Sequence, residues 1–171
     1  AVIGSPVRHS LSPAIHNAAF QACGFDAVFV ALEVRPGAAG TALEGVRALG
    51  LLGLSVTTPH KDDVFRLVDE CTVAATAMQA VNCVQRVGDR LVGHNTDGDG
   101  FVDSLRADAK VNPTGWSVAI VGAGGAARSV IEALFRAGAR DIAVVNRTPE
   151  RARVAAALAP GVGRVRSEEH T

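Results

Sequence analysis

Lysine is rare in this chain, and one of its two lysines lies where a cation is unfavourable. The segment SVTTPHKDD (55–63) predicts a helix with Thr58 as N-cap and Pro59 in the first turn, which places Lys61 in that turn too. A cation there opposes the helix dipole at a cost of roughly 0.3–1 kcal/mol. The other fifteen basic residues are arginines, which stay protonated, whereas a lysine amine can give up and retake a proton. Lys61 is therefore either a proton-transfer group or an ordinary surface lysine.

Two serines stand at the first predicted helix. Ser12 and Pro13 have the order of an N-cap and a first-turn proline, which explains Ser12 structurally. Ser10 has no such explanation. Two hydroxyls beside a helix N-terminus also form a site for a small carboxylate, because the donors and the dipole point at the same anion. Both interpretations stay open at this point.

Asp97 belongs to an acidic segment, GHNTDGDG (93–100), whose oxygen ligands are spaced like those of a calcium loop. The loop would need a bidentate glutamate where this chain has Arg106, so the sequence predicts no calcium, and no other metal site is expected. Asp97 then either caps the following helix or is a functional carboxylate that the helix N-terminus keeps ionised.

A glycine-rich segment joins a predicted strand to a predicted helix in the second half of the chain. It follows the pattern G-x-G-x-x-A, and the candidate pyrophosphate-binding residues are Gly122, Gly124, Gly125, Ala126 and Ala127. Glycines let the backbone turn tightly and approach phosphate oxygens, which then lie at the positive end of the helix. Alone the pattern is weak evidence, because glycine-rich turns join many strands to helices.

The end of the next predicted strand distinguishes between two dinucleotides. A cofactor with a free 2′-hydroxyl favours an acidic residue there, about 20 residues past the glycines. This chain has Asn146, Arg147 and Thr148 instead, with Arg151 one turn further on. A neutral amide beside two guanidiniums suits a 2′-phosphate, since arginine offers charge and a planar fork of donors. The sequence favours NADP over NAD, the alternative being two solvated charges at a helix start.

Composition excludes several functional classes. The chain has 171 residues, 48% hydrophobic, which is enough for one or two globular domains. Its 17 acidic and 17 basic residues balance, so no bulk charge indicates nucleic acid or a membrane as partner. No apolar run reaches ~18 residues and no leader opens the chain, so we expect a soluble, unsecreted protein. Three cysteines without C-x-x-C spacing indicate small buried thiols in a reducing compartment.

The elements that must position these groups follow from hydrophobic spacing, which predicts an α/β fold with a largely parallel sheet. Strands are predicted at 1–4, 26–34 and 51–57, and helices at 12–23 and 38–49. Two β-rich runs within 80–95 flank Gly88 and Asp89 and predict a hairpin. The second half is predicted to contain a connecting helix at 97–108, strands at 116–121, 141–146 and 162–166, and a helix at 125–137.

Six motifs in order carry a resemblance that covers nearly the whole chain: GSPVRHSLSP, SVTTPHK, AVNCV, GHNTDGDG, GAGGAAR and NRT. Together they resemble the shikimate dehydrogenase family. One departure is Ser55, where the family most often has asparagine; a serine still forms hydrogen bonds, so the departure concerns the local network rather than the activity.

The resemblance implies roles for individual residues. Ser10 and Ser12 would bind the shikimate carboxylate with Thr57 close by, and Asn82 would hold a ring hydroxyl. Lys61 and Asp97 would be the catalytic pair. The implied reaction is the NADP-linked interconversion of shikimate and 3-dehydroshikimate in aromatic amino-acid (chorismate) biosynthesis, in a cytoplasmic monomer or homodimer.

The implied fold is an α/β substrate domain followed by a Rossmann-type NADP-binding domain. We place these domains at 1–103 and 104–171. A full doubly wound domain has about six strands, and only three are predicted after Gly115, so we expect a C-terminally truncated chain that is itself inactive. The final RSEEHT (166–171) resembles the translation of a sequencing adapter and is treated as a potential artefact.

Two other functions remain as alternatives. A quinate/shikimate dehydrogenase that uses NAD would favour an acidic residue in place of Asn146 or Arg147. A module that binds shikimate or quinate without turnover would lack Lys61 or Asp97, and both are present.

Overall fold

Two sheets organise the computed structural model, which describes residues 1–166. By its internal contacts the chain divides into two units, one of Ala1–Asn95 and one that begins at Thr96. The helix that opens the second unit therefore belongs to it by contacts, whereas the predicted boundary between residues 103 and 104 assigns most of that helix to the first domain. The domain limits themselves stay a prediction.

The first unit alternates strands and helices. Its elements are β1 (Val2–Gly4), α1 (Ser12–Ala22), β2 (Ala31–Glu33), α2 (Ala39–Ala48), β3 (Gly53–Val56), α3 (Lys61–Leu67), β4 (Glu70–Cys71), α4 (Val73–Met78), β5 (Cys83–Val87) and β6 (Arg90–His94). The strand order is β2-β1-β3-β5-β6-β4. β1 is parallel to β2 and β3, β4 is parallel to β6, and β5 is antiparallel to both of its neighbours. The predicted α/β fold and the hairpin at Gly88 are confirmed.

The core of this unit is formed where one face of each helix meets the sheet. In α2 the buried residues are Ala39, Leu43 and Val46, which recur at helical spacing. They pack with Ile3 of β1 and Val64 of α3 in a single apolar cluster. Full burial of a leucine, isoleucine or valine side chain contributes about 1.5–3 kcal/mol. This cluster fixes α3, and with it Lys61, against the sheet.

Strand β2 is shorter than the predicted 26–34 because a side chain replaces part of its backbone pairing. The Asn17 carboxamide accepts from the Phe29 N–H at 2.7 Å and donates to the Phe29 carbonyl at 2.9 Å. The segment before Ala31 is thus held by α1 rather than by a strand. The prediction did not include β4 and α4, because two and six residues are too few to show a hydrophobic period.

The Asp69 carboxylate ties three elements of the first unit together. Arg47 of α2 donates to its Oδ2 at 2.7 Å, and the backbone N–H of Leu91 in β6 donates to the same oxygen at 2.6 Å. The Leu91 N–H and then the Arg47 guanidinium lower the pKa of the Asp69 carboxyl below its ordinary value. The ionised form is therefore the form that the fold stabilises.

Asp69→Asn is expected to lower the melting temperature at neutral pH and to matter less in acid. A carboxyl whose pKa is lower in the folded than in the unfolded state contributes stability above its unfolded pKa of about 4, and the contribution disappears as pH falls through the folded pKa. Thermal unfolding of parent and variant across this range tests the expectation. Asp26→Asn is the control, because Asp26 is exposed and has no ion-pair partner among residues 1–166. A melting-temperature difference for Asp69→Asn that does not change with pH would contradict it.

The second unit contains α5 (Asp97–Ala107), β7 (Ser117–Val121), α6 (Gly125–Arg136), β8 (Asp141–Val145), α7 (Pro149–Ala156) and β9 (Gly163–Val165). Its three strands lie in the order β7-β8-β9 and are all parallel. Ile131 and Leu134 of α6 pack with Ile142 and Val144 of β8 in the core. The predicted strand–helix alternation is confirmed here within two residues at each end. Of the segment RSEEHT, all but Arg166 lies outside the described residues.

The longest helix in residues 1–166 is α6 with 12 residues, and none there is long and apolar enough to cross a membrane.

The three cysteines are free thiols. Cys71 and Cys83 are partly buried, and their burial raises both thiol pKa values. Cys23 is exposed, so the prediction of buried thiols is wrong for that residue.

Candidate functional site

Lys61 is the first residue of α3, at the carboxyl end of β3. The predicted cap was two residues too early: the Thr58–Pro59 peptide is cis and lies before the helix, and His60 takes the N-cap position. The His60 N–H donates to the Thr57 carbonyl at 3.0 Å, which makes a turn there instead of a first helical turn. Asp62 and Asp63 share the first turn of α3 with Lys61 and offset the unfavourable dipole interaction of the ammonium.

The backbone around Lys61 is fixed from two sides. The Val81 N–H donates to the Lys61 carbonyl at 3.0 Å, which ties the helix start to the segment before β5. The buried His60 ring places Nε2 2.8 Å from the Val34 carbonyl, so His60 links α3 to the end of β2. Sequence reasoning did not single out His60, because the burial of a polar residue depends on contacts far along the chain. Its only sequence signal is that it directly precedes Lys61.

Thr57 and Asn82 lie beside the carboxyl end of β3, the strand that leads to Lys61. The Thr57 N–H donates to the Ile3 carbonyl at 3.0 Å and so extends the pairing of β3 with β1. Asn82 accepts from the Val56 N–H through its carbonyl at 2.7 Å, which puts it across from the end of β3. Both side chains are half-buried. Ligands of open α/β sheets bind at the carboxyl ends of parallel strands. Thr57 and Asn82 lie at such an end, that of β3.

Ser10 and Ser12 form a hydroxyl pair at the start of α1. The Ser12 N–H donates to Ser10 Oγ at 3.2 Å, and Ser10 Oγ donates to Ser12 Oγ at 3.1 Å. The helix begins at Ser12 with Leu11 as N-cap residue, so the predicted cap position was one residue too late. Ser10 therefore supplies the oxygen that receives a helix N–H, and the Ser12 hydroxyl proton remains for a further acceptor.

A backbone hydrogen bond joins the loop that precedes these serines to the loop that precedes Lys61. The Ser5 N–H donates to the Thr58 carbonyl at 3.0 Å, and Val7 is buried beside Val2 and Phe29. At Gly4 a Cβ atom would lie 2.5 Å from Cγ2 of Thr57, so the absence of a side chain lets the two strand ends approach each other. The structure thus brings the predicted substrate residues of the first unit to one end of its sheet.

Asp97 is the first residue of α5 in the second unit, whereas Lys61 belongs to the first unit. Asp97 is half-buried and shares the first turn of α5 with Asp99. Negative charge is favourable at this end of a helix. The Lys61–Asp97 pair stays a prediction.

The glycine-rich turn joins the end of β7 to the N-terminus of α6. Gly122 follows β7 with φ of 109°, a value that side chains rarely tolerate, and its N–H donates to the Val145 carbonyl at 2.7 Å. Gly124 is the N-cap and Gly125 the first residue of α6, with Ala126 and Ala127 in the first turn. No preceding helical carbonyl reaches the first N–H groups of α6, so they can bind an anion.

The predicted 2′-phosphate residues lie between β8 and the first turn of α7. Asn146 Nδ2 donates to the Thr148 carbonyl at 2.9 Å, which bends the chain toward the N-cap at Thr148. Arg147 and Arg151 are exposed, and within residues 1–166 neither has an ion-pair partner. Arg153 on the same helix is paired with Glu150. Two arginines are therefore available for an anionic ligand.

Family models match the chain in two segments. Residues 2–84 match the model described as shikimate dehydrogenase substrate binding domain, and residues 106–168 match the model described as shikimate / quinate 5-dehydrogenase. The shikimate dehydrogenase (NADP(+)) of Geobacter metallireducens is 47% identical over 150 residues, which are 88% of this chain and 52% of that protein. The chain spans about half the length of the curated relatives it matches.

Solved structures show the same likeness. The crystal structure of shikimate dehydrogenase from Aquifex aeolicus has a TM-score of 0.87 and 38% identity, and the match covers 97% of this chain and 60% of that one. The enzyme of Thermus thermophilus in complex with NADP(H) and shikimate has a TM-score of 0.88 and 37% identity, with 96% and 61% covered.

Proposed function

This chain belongs to the shikimate dehydrogenase family, and from that premise we propose that it is the substrate-binding unit and first part of the cofactor-binding unit of an NADP-dependent shikimate dehydrogenase. The reaction is the interconversion of 3-dehydroshikimate and shikimate, a step of aromatic amino-acid biosynthesis. The observation that carries the proposal is the hydroxyl pair of Ser10 and Ser12 at a helix N-terminus, on loops bonded to the segment of Thr57 and Lys61.

The substrate carboxylate binds at the start of α1. Ser12 donates its hydroxyl proton to the carboxylate, and the dipole of the 11-residue helix favours the negative charge. Thr57 directly follows β3 and Asn82 directly precedes β5, and they offer a hydroxyl and a carboxamide to the ring hydroxyls. A hydroxylated ring carboxylate satisfies both sets of donors.

Lys61 and Asp97 act as the proton-transfer pair. When shikimate is oxidised, the C3 hydrogen leaves as hydride and the C3 hydroxyl loses its proton to this pair; the reverse reaction returns both. NADP, when bound, supplies the nicotinamide C4 that accepts the hydride. Lys61 can release and retake the proton at its Nζ atom, and the Asp97 carboxylate is its partner in the transfer. The two groups are treated as one coupled acid–base unit.

NADP fits the second unit better than NAD. The turn from Gly122 to Gly125 would hold the diphosphate, and Arg147 and Arg151 would bind the 2′-phosphate beside Asn146 and Thr148.

Three free thiols agree with a reducing compartment, and we propose a cytoplasmic enzyme that acts as a monomer or homodimer.

Shikimate is expected to bind the 171-residue chain weakly, and the double variant Ser10→Ala/Ser12→Ala is expected to lose that binding. Loss of the Ser12 hydrogen bond to the carboxylate, which the Ser10 hydroxyl supports, costs on the order of 1.5–3 kcal/mol, or at least about tenfold in affinity. A shikimate titration followed by NMR measures this, with Ser104→Ala as control, since the exposed Ser104 hydroxyl donates to the Phe101 carbonyl of its own helix. Unchanged affinity of a folded double variant would overturn the assignment of the carboxylate site.

A further inference from the structure

Helix α5 crosses α6 at a point with no room for a side chain. Gly98 is buried, and a Cβ atom there would lie 2.4 Å from the Ser129 carbonyl oxygen and 2.9 Å from Cβ of Ala133. The Ser129 oxygen belongs to the backbone of α6, so the clash cannot be relieved by turning a side chain. Gly98 directly follows Asp97, and the close crossing therefore lies in the helical turn that carries the candidate carboxylate.

Further contacts hold the same turn in place. Asp99 Oδ1 lies 2.5 Å from Nη2 of Arg136, and Arg136 Nε is 2.6 Å from Oε1 of Glu132. On α6 the partner positions 129, 133 and 136 recur at helical spacing, so one face of α6 receives the first turn of α5. Val102, one turn after Gly98, is buried as well.

The crossing is also close to the phosphate-binding turn. Ser129 lies one turn from the start of α6 and donates its hydroxyl to the Gly125 carbonyl at 3.0 Å. A displacement of α5 at Gly98 therefore changes the position of the Asp97 carboxylate relative to the helix that would bind the cofactor diphosphate.

We infer that Gly98 is a positioning residue: by holding α5 against α6 at backbone distance, it fixes the Asp97 carboxylate relative to the helix that would bind the cofactor diphosphate. The inference rests on the proposed function, in which Asp97 takes part in proton transfer. The place of this carboxylate then depends on a helix contact that touches neither substrate nor cofactor.

The test uses a chimera in which this chain, to the end of β9, is followed by the remaining C-terminal residues of the Geobacter metallireducens relative. Gly98→Ala is expected to lower kcat by about tenfold or more, because a misplacement of ~1 Å at a catalytic group costs up to 10²-fold. KM for shikimate and Kd for NADP should stay within about threefold, so that the loss is confined to kcat. A role in folding alone would lower the melting temperature without this split between kcat and KM.

Gly100→Ala is the matched control. Gly100 lies in the same helix, and a Cβ atom there meets nothing within 4 Å, so parental kcat and equal or higher thermal stability are expected. If Gly98→Ala does not fold, the kinetics of Arg136→Gln are measured instead. The exposed Arg136 side chain forms the second contact with α5, through Asp99. Its loss should lower kcat about two- to fivefold and leave Kd for NADP unchanged.

Three results would overturn the inference: a folded Gly98→Ala chimera with parental kcat, a fall in NADP affinity as large as the fall in kcat, or parental kcat for Arg136→Gln when Gly98→Ala does not fold. An inactive parental chimera would count against the proposed function instead, so the two failures can be told apart.

Discussion

Lys61→Arg in the chimera is expected to lower kcat by ~10²-fold or more, with a much smaller change in KM for shikimate. Arginine keeps the positive charge but does not release a proton at working pH, so the substitution separates proton transfer from charge. A loss confined to kcat indicates an interaction that is made only in the transition state. The backbone bond from Val81 to Lys61 does not involve the side chain, so the fold around α3 should be retained.

The second lysine of the chain provides the control. Lys110 is exposed and lies outside the helices and strands, and Lys110→Arg should leave both kinetic constants unchanged. Near-parental kcat for Lys61→Arg would show that Lys61 only positions the substrate, and the proposed proton transfer would be wrong.

Arg147→Ala is expected to weaken NADP binding by about tenfold to a hundredfold and to change NAD binding little. A charge-assisted hydrogen bond to a phosphate contributes on the order of 1.5–3 kcal/mol, and NAD has no 2′-phosphate with which to form it. Equilibrium titration of the chimera with both dinucleotides measures the difference. Arg151→Ala should act in the same direction.

Arg153→Ala is the matched control for the arginines. Arg153 is an exposed arginine of α7 that is already paired with Glu150, so its removal should affect both dinucleotides alike and weakly. Equal losses of NADP and NAD affinity for Arg147→Ala would show that Arg147 has a structural role.

Features encoded over short stretches of sequence were predictable. The glycine turn between β7 and α6 needs only a strand, a residue with positive φ and a helix N-terminus, all within residues 117–136. The β5–β6 hairpin likewise follows from Gly88, whose φ is 62°, between two β-rich runs. Local residue chemistry specifies such features because their hydrogen bonds join near neighbours in sequence.

Features that join distant segments were not predictable. Thr58 and Pro59 have the pattern of a helix start, yet α3 begins at Lys61, and the Thr58 carbonyl accepts from the N–H of Ser5 in a distant loop. The burial of His60 depends on Val34, 26 residues away. The requirement for glycine at Gly98 depends on Ser129 of another helix. Hydrophobic periods and capping patterns carry no information about such pairs.

The proposed dehydrogenase activity is measured by the rate of absorbance change at 340 nm for the parental chimera, with shikimate or quinate as substrate and NADP or NAD as cofactor. We expect the highest kcat/KM for shikimate with NADP, and no dinucleotide reduction when substrate is omitted. Reduction that favours quinate with NAD, or no reduction by a folded chimera that binds both ligands, would contradict it.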